Sequence, residues 1–189
     1  MTKNPYAWEK CKLGDFGIST GGTSLEAEFV NNGKYKVINI GSYSENSIYI
    51  DQGIRVNKNP KTELRILRKN DLAMILNDKT STGRIIGRVL LIDVDDTYVY
   101  NQRTQRIEIN TEHFYPQFLY QLLNADFARQ KIIYSAQGNT QIYVNWSAIK
   151  NLEYFIPQNR AEQQKIGNLF KQLDRLITLH KREWIKSPL

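Results

Sequence analysis

The sequence predicts an α+β protein in which a β-rich region is followed by helices. Up to about residue 109, short apolar or alternating runs are separated by Gly, Asn and Ser clusters, as in strands joined by turns. From Tyr115 onward, apolar residues recur at intervals of three and four, which is the helical period. A length of 189 residues accommodates one domain with a core and an appendage. We therefore expect a twisted multi-stranded β-sheet with helices packed against it.

The strands are predicted from short segments of the β-rich region. They are "KYKVINI" (34–40), "NSIYI" (46–50), "KNDLAMIL" (69–76), "RIIGRVLLIDV" (84–94) and "TYVYNQRTQRIEI" (97–109). The intervening "NDKTSTG" and "DD" are rich in turn-forming residues. A last strand is expected at "LEYFIP", where Pro157 closes it.

Two helices are predicted after these strands. The first starts near Pro116, which suits a first helical turn, and its apolar positions are Phe118, Leu119, Leu122 and Leu123. The second spans about 126–134, and "SAQGNTQ" ends it with glycine and polar residues. A short helical turn near "NWSAIKN" precedes the last strand. We assign residues 1–157 to one domain.

The final segment, residues 158–189, is predicted to be one amphipathic helix. Asn159 is a suitable N-cap with Glu162 three residues later, and Ser187 and Pro188 end the helix. Its apolar stripe either pairs with another protein chain, as a dimerisation and spacing element, or folds back onto its own domain. The stripe consists of Ile166, Leu169, Phe170, Leu173, Leu176, Ile177, His180 and Trp184.

The composition indicates a basic protein of the cytoplasm. The net charge of +7 and the pI of about 9.4 favour an anionic partner such as nucleic acid or an acidic membrane surface. The single cysteine, Cys11, cannot form an internal disulfide, and "MTKNPYAWEKCK" is charged where a signal peptide is apolar. No apolar run approaches the roughly 20 residues that span a bilayer.

The usual catalytic motifs are missing from the sequence. It contains neither G-x-x-x-x-G-K nor G-x-G-x-x-G, and no acidic residue is followed two positions later by lysine. His113 and His180 are far apart, and one cysteine cannot supply a Cys/His metal set. Asp93, Asp95 and Asp96 lie between two strand-like runs, where a turn is expected rather than a metal site. We expect no catalytic residue, no metal and no cofactor, which leaves a binding protein.

Polar loops recur between the predicted strands. They are "STGGTS", "GSYSEN", "NDKTSTGR", "NQRTQR" and "SAQGNTQIY". Their residue types suit DNA, because Arg bonds guanine edges, Asn and Gln bond adenine edges, and Lys, Ser and Thr bond phosphates. The alternative is that they are ordinary hydrophilic turns.

Six segments occur in the order typical of one target-recognition repeat. They are "WEKCKLGDFGISTGGTS", "LRKNDLAMIL", "YVYNQRTQRIEI", "YPQFLYQLLN", "SAQGNTQIYVNWSAIKNLEYFIP" and "EQQKIGNLFKQLDRLITLHKRE". By these segments the chain resembles the specificity subunit of type I restriction-modification enzymes, over nearly its whole length. It departs from the family in having Ser24 where proline often follows Gly-Thr.

The resemblance implies a role without catalysis. The domain would read one half of a split double-stranded DNA target, while modification subunits methylate adenine and restriction subunits cut. A typical specificity subunit has two recognition domains, whose following helices pair antiparallel as a spacer. This chain has one of each, so it is either a natural half-subunit that forms a homodimer, slightly favoured by the start at Met1, or a fragment. A symmetric dimer would read a palindromic split target.

We expect three loops to enter the major groove and contact base edges, with basic residues holding phosphates. The predicted DNA-contacting residues are Lys79, Thr80, Ser81 and Arg84, then Asn101, Gln102 and Arg103, then Gln137, Asn139, Gln141 and Tyr143. Tyr43, Ser44 and Asn46 are additional candidates. Two other functions remain open: a small nuclease or methyltransferase that acts on DNA, and a decoy that competes for modification subunits.

Overall fold

The computed structural model describes the backbone of residues 7–186 and the side chains of residues 7–181. The strands are β1 (Trp8–Lys12), β2 (Gly17–Gly21), β3 (Phe29–Val30), β4 (Tyr35–Ile38), β5 (Arg55–Val56), β6 (Leu72–Ile75), β7 (Asn77–Asp78), β8 (Val89–Leu91), β9 (Tyr98–Tyr100), β10 (Thr104–Ile109), β11 (Ile142–Tyr143) and β12 (Glu153–Pro157). The α-helices are α1 (Pro60–Glu63), α2 (Pro116–Asn124), α3 (Asp126–Tyr134), α4 (Trp146–Ile149) and α5 (Arg160–Lys186), and short 3-10 helices lie at Leu13–Phe16, Glu26–Glu28 and Ile40–Ser42. The predicted α+β class is confirmed.

The strands are divided among several sheets. One antiparallel sheet has the order β2-β10-β6-β8, and a second sheet has the order β3-β5-β4-β9 with β4 and β9 parallel. β1 pairs with β12, which joins the two ends of the domain, and β7 pairs with β11. The segment "TYVYNQRTQRIEI" crosses from one four-stranded sheet to the other, because the turn at 101–103 separates β9 from β10.

Strand β6 separates two hydrophobic cores. Leu72 and Met74 pack into the core beneath α2 and α3, whereas Ala73 and Ile75 pack into the core that also holds residues of β4, β8 and β9. Because side chains alternate across a strand, a strand that is buried on both faces is apolar throughout. That explains why "LAMI" has no polar position.

Two strand predictions need correction. The segment "NSIYI" is a loop, because Ser47 has a φ of 59° and the Ser44 hydroxyl accepts a hydrogen bond from the Ile48 amide at 2.8 Å. In "RIIGRVLLIDV", pairing begins only at Val89–Leu91. Gly87 has a φ of 75°, so the preceding residues form a turn.

The predicted helices α2 and α3, the short α4 and the proline-closed β12 are all present. The N-cap prediction for the final helix is also confirmed, because Oδ1 of Asn159 accepts a hydrogen bond from the Ala161 amide at 2.8 Å. No helix within residues 7–186 is both long enough and apolar enough to cross a bilayer.

The first half of α5 packs against α2 of its own domain. A Cβ at Gly167 would lie 2.7 Å from the backbone nitrogen of Phe118, so the two helices approach closely there. Oε1 of Gln163 accepts a hydrogen bond from the Tyr115 amide at 2.8 Å. Ile166 is partly buried against the same core. Ile166 is therefore partly covered by its own domain, and its role in dimerisation stays a prediction.

The rest of the apolar stripe is exposed. Leu169, Phe170, Leu173, Leu176 and Ile177 are each between 42% and 61% exposed, and His180 is exposed too. The Trp184 side chain and the predicted helix end at Ser187 and Pro188 lie outside the described residues. The helix therefore has two parts, one packed on its own domain and one with an uncovered apolar face.

Candidate nucleic-acid interface

Three of the polar loops meet at one edge of the molecule. β7 pairs with β11, with Asn77 opposite Tyr143. The backbone amide of Leu76 donates to the carbonyl oxygen of Arg103 at 2.8 Å. These bonds join segments that are far apart in sequence. The resulting loop cluster consists of residues 77–86, 101–103 and 137–143.

The third loop of the cluster is a tight hairpin. Gln137 and Tyr143 exchange both backbone hydrogen bonds at 2.9 Å. Gly138 has a φ of 99°, and a Cβ there would lie 2.2 Å from the carbonyl oxygen of Gln141, so glycine is required. The hairpin exposes all of its predicted DNA-contacting side chains, which are Gln137, Asn139, Gln141 and Tyr143.

The first loop of the cluster exposes Lys79, Thr80, Ser81 and Arg84. The Thr80 hydroxyl already donates to Oδ1 of Asp78 at 2.9 Å. Nη1 of Arg84 donates to Oε1 of Glu45 at 3.0 Å. An ion pair that is this exposed contributes less than about 1 kcal/mol, so the guanidinium can exchange Glu45 for a ligand.

The turn at 101–103 divides into a buried part and an exposed part. Asn101 is 5% exposed; its Oδ1 accepts from the Leu25 amide at 2.9 Å and its Nδ2 donates to Oε1 of Glu26 at 3.0 Å. Hydrogen bonds from Ser24 and Asn101 lower the pKa of Glu26 to about 2. The prediction that Asn101 contacts a base is therefore wrong, because both polar atoms of its side-chain amide are hydrogen-bonded within the protein.

Gln102 and Arg103 remain exposed in the same turn. Nε2 of Gln102 also donates to Glu26, at 3.0 Å. Arg103 has a φ of 70°, and its Nη1 donates to Oδ1 of Asn77 at 3.0 Å. Arg103 therefore projects from the cluster with its direction fixed by a neighbouring strand.

The loop at 43–46 borders the cluster through the contact between Glu45 and Arg84. Tyr43 is buried, burial raises its pKa, and its hydroxyl donates to the carbonyl oxygen of Ala73 at 3.1 Å. Tyr43 is thus a core residue and the prediction that it contacts DNA is wrong. Ser44 is half-buried, whereas Asn46 is exposed.

A groove beside the cluster contains residues outside the predicted DNA-contacting set. It is lined by Asn77, Arg103, Tyr143, Asn145 and Trp146, with Gly22 at one side. Asn145 and Trp146 directly follow "QIYV" at the start of α4. The signal in the sequence is an amide next to an aromatic residue, within a segment whose pattern predicts a helix and not a polar loop.

The cluster supplies hydrogen bonds and positive charge. Lys79, Arg84 and Arg103 are its exposed cations, and the hairpin adds amides and a tyrosine. Among residues 7–181, no three His, Cys, Asp or Glu side chains are arranged to hold a metal ion. The carboxylates of the "DD" turn are used internally, since Asp95 accepts from the Lys69 amide at 2.9 Å and Asp96 pairs with Lys34.

The fold is similar to that of solved specificity subunits. The S subunit of a type I restriction-modification system from M. genitalium superposes with a TM-score of 0.67 at 20% identity, over 93% of this chain and 41% of the other. The HsdS subunit from Thermoanaerobacter tengcongensis gives 0.67 at 12% identity, over 96% and 41%. A structure that concerns complex assembly and conformational transition of the type I R-M system gives 0.67 at 16% identity, over 96% and 46%. The chain thus spans less than half the length of these subunits.

No curated protein matches the sequence closely enough to count as a relative. The family model described as "Type I restriction modification DNA specificity domain" matches residues 5–186, which is nearly the whole chain. The order of strands and helices, the loop cluster and the final helix all lie within that match. The chain belongs to the family of type I restriction-modification DNA specificity domains.

Proposed function

We propose that this chain recognises one half of a bipartite double-stranded DNA target and has no catalytic role of its own. The observation that carries the proposal is the convergence of residues 77–86, 101–103 and 137–143 into one surface. Loops from distant parts of a chain that join through backbone hydrogen bonds form a single surface, as a groove-reading site requires. The three exposed cations of the cluster suit a phosphate backbone.

The side chains divide into two groups by chemistry. Arg103 and Arg84 carry forked donors that match guanine O6 and N7, and the hairpin amides at 137, 139 and 141 match adenine N6 and N7. Lys79, Thr80 and Ser81 suit phosphate oxygens, which set the register on the duplex without reading sequence. Sequence preference thus arises from Arg84, Arg103 and the hairpin.

The exposed part of α5 would pair with a second copy of the chain, or with the second half of a longer subunit. Leu169, Leu173, Leu176 and Ile177 recur at helical spacing on one face and are uncovered by their own domain. Burial of this apolar surface would drive the association, since each Å² removed from water contributes about 25 cal/mol. Two paired helices would then hold two loop clusters at a fixed separation.

The remaining partners follow from the family. Modification subunits would methylate adenine within the target, and restriction subunits would join through them, in the cytoplasm. In this arrangement the present chain selects the DNA sequence, and the other subunits carry out methylation and cleavage.

The decisive experiment is to co-express the chain with its neighbouring modification subunit and to map methylated adenines in the host DNA. We expect one bipartite motif with palindromic half-sites around an unspecified gap. A non-palindromic motif with this chain as the sole specificity component would exclude the homodimer. Methylation without any sequence motif would refute sequence recognition altogether.

A further inference from the structure

Asp78 joins the two ends of the first loop of the cluster. Its carboxylate is buried, with the residue 4% exposed. Oδ1 accepts hydrogen bonds from the amide and the hydroxyl of Thr80, both at 2.9 Å. Oδ2 accepts from the amide of Ile85 at 3.0 Å. One side chain at the end of β7 therefore fixes both the start and the end of the segment 79–85.

Arg129 holds the same loop from the other side. It lies in α3, is 5% exposed, and its Nη2 donates to the carbonyl oxygens of Gly83 at 2.8 Å and Arg84 at 3.0 Å. A third contact reaches the carbonyl oxygen of Ile86 at 3.3 Å. Burial lowers the pKa of Arg129 to about 10, so the guanidinium remains charged at neutral pH. Hydrogen bonds to the loop carbonyl oxygens stabilise this charge in place of water.

Two glycines give the loop the shape that these contacts need. Gly83 has a φ of 67° and Gly87 a φ of 75°, conformations that other residues adopt at a cost. A Cβ at Gly87 would lie 2.9 Å from the Ile132 side chain of α3, so the backbone rests directly on the helix. Helix α3 thus supports the loop backbone, and Asp78 fixes both of its ends.

The side chains that face outward take little part in this framework. Lys79 and Ser81 are exposed, and the Arg84 side chain bonds only to the exposed Glu45 among the described residues. The shape of the loop depends on Asp78, Arg129 and backbone groups. The side chains that the loop presents to solvent belong to different residues.

We propose that Asp78 and Arg129 are positioning residues that hold segment 79–86 in its DNA-reading shape before DNA arrives, so that Arg84 and the outward-facing position of Ser81 form an exchangeable specificity element. This inference rests on the proposed function. A loop that is already ordered loses little backbone entropy when it seats against base edges. Non-specific binding needs only phosphate contacts and gains little from that order, so the ordered loop favours the correct sequence over others. Exchange of the outward side chains alters the bases read and leaves the framework intact.

The first test needs no mutation. Amide hydrogen exchange of the free chain, followed by NMR, should show Thr80 and Ile85 exchanging at least about tenfold more slowly than the same residues in an unstructured peptide. Exchange at the rate of an unstructured peptide would overturn the proposal, because the loop would then be unformed before binding.

The second test compares Arg129→Met with Gln130→Met, an exposed position in the same helix. The probes are a duplex that the wild-type chain selects from a random pool and a scrambled duplex of equal length. Arg129→Met should lower the ratio of the two affinities by about tenfold while the scrambled duplex changes by about twofold or less. An unchanged ratio overturns the proposal. If Arg129→Met does not fold, the exchange measurement decides alone.

The third test replaces the outward side chain at one position. Ser81→Arg should change the preferred base at one or two positions, with the melting temperature and the protection of Thr80 and Ile85 unchanged. An unaltered preferred sequence would exclude the exchangeable element. A wild-type chain without any sequence preference refutes the proposed function instead, and slow exchange at Thr80 and Ile85 would still establish the preformed loop.

Discussion

Nη1 of Arg103 donates to Oδ1 of Asn77 at 3.0 Å, across the junction between the turn after β9 and strand β7. Arg103 also has a φ of 70°, in the left-handed region that costs a non-glycine residue roughly 1–2 kcal/mol. The hydrogen bond uses one of five N–H donors, so the rest of the guanidinium is free for a ligand. A strained and oriented arginine at the centre of the loop cluster is well placed to read a base.

Arg103→Ala should therefore lower the affinity for the cognate half-site by about 1–3 kcal/mol and relax the preference at one base pair. Asn77→Ala should have a smaller effect in the same direction, because the guanidinium then loses its orientation. Binding titrations against duplexes with each position changed in turn measure both effects. Lys58→Ala, beside α1 and paired with Glu63, is the control. An unaltered preference profile in Arg103→Ala would contradict the role of this residue.

Lys79 and Arg84 lie in one loop but should behave differently. Lys79→Ala should weaken binding to all sequences alike and reduce the slope of log K against log salt concentration by about 0.9 in magnitude, as one phosphate contact is lost. Arg84→Ala should cost roughly 1 to 3 kcal/mol and relax specificity at one position. Affinities at several salt concentrations separate the two. Equal losses on every sequence for both variants would exclude base reading by Arg84.

Helix and strand types were predictable where a local pattern was strong. The period of three and four over α2 and the proline that closes β12 depend on neighbours in sequence, and both predictions hold. Asn101 shows the limit of such reasoning. Its side chain bonds to Leu25 and Glu26, which lie 76 and 75 residues away in sequence. Residue type alone does not distinguish an amide that reads DNA from one that stabilises its own fold.

The final helix shows the same limit along one continuous pattern. Ile166 and Leu173 belong to a single apolar stripe in the sequence, yet Ile166 packs on its own domain and Leu173 does not. Ile166 lies next to Gly167, where the backbone of α2 approaches α5 closely. Amphipathic spacing identifies which face is apolar, whereas the covering partner depends on the tertiary arrangement.

Leu173→Asp should separate the proposed dimer into monomers. A charge in the middle of the exposed stripe would have to be buried without a partner, which is strongly unfavourable. Sedimentation or light scattering measures the mass, and circular dichroism checks that the domain stays folded, since Leu173 is 42% exposed in the single chain. Gln172→Asp adds the same charge one residue away and should leave the mass unchanged. An unchanged mass for Leu173→Asp would argue against the interface.

The glycine pair in "STGGTS" offers a matched comparison. A Cβ at Gly22 would lie 1.9 Å from the carbonyl oxygen of Asn101, whereas at Gly21 the nearest atom is the Gln105 side chain at 3.6 Å. Gly22→Ala should lower the free energy of unfolding by roughly 1–3 kcal/mol, because the backbone must move. Gly21→Ala should change it by about 0.5 kcal/mol or less. Urea denaturation measures both, and equal effects would show that close backbone approach is not the reason for Gly22.

Glu26 should make the stability of the chain depend on pH in the acid range. Hydrogen bonds from Ser24 and Asn101 lower its pKa from 4.5 to about 2. A carboxyl group whose pKa is lower in the folded state stabilises the fold fully above its unfolded pKa, and that contribution is lost as the pH falls through the folded value. The relevant window therefore runs from pH 4.5 down to about 2.

Glu26→Gln should accordingly be less stable than the wild type by a constant amount above about pH 5, and the difference should shrink as the pH falls toward 2. Urea denaturation at a series of pH values measures this difference, with Glu112→Gln as the control for removing one exposed carboxylate. A difference that stays constant down to pH 2 would mean that the charge of Glu26 does not contribute. The bonds to Asn101 and Gln102 would then hold the turn beside Arg103 equally well when Glu26 is protonated.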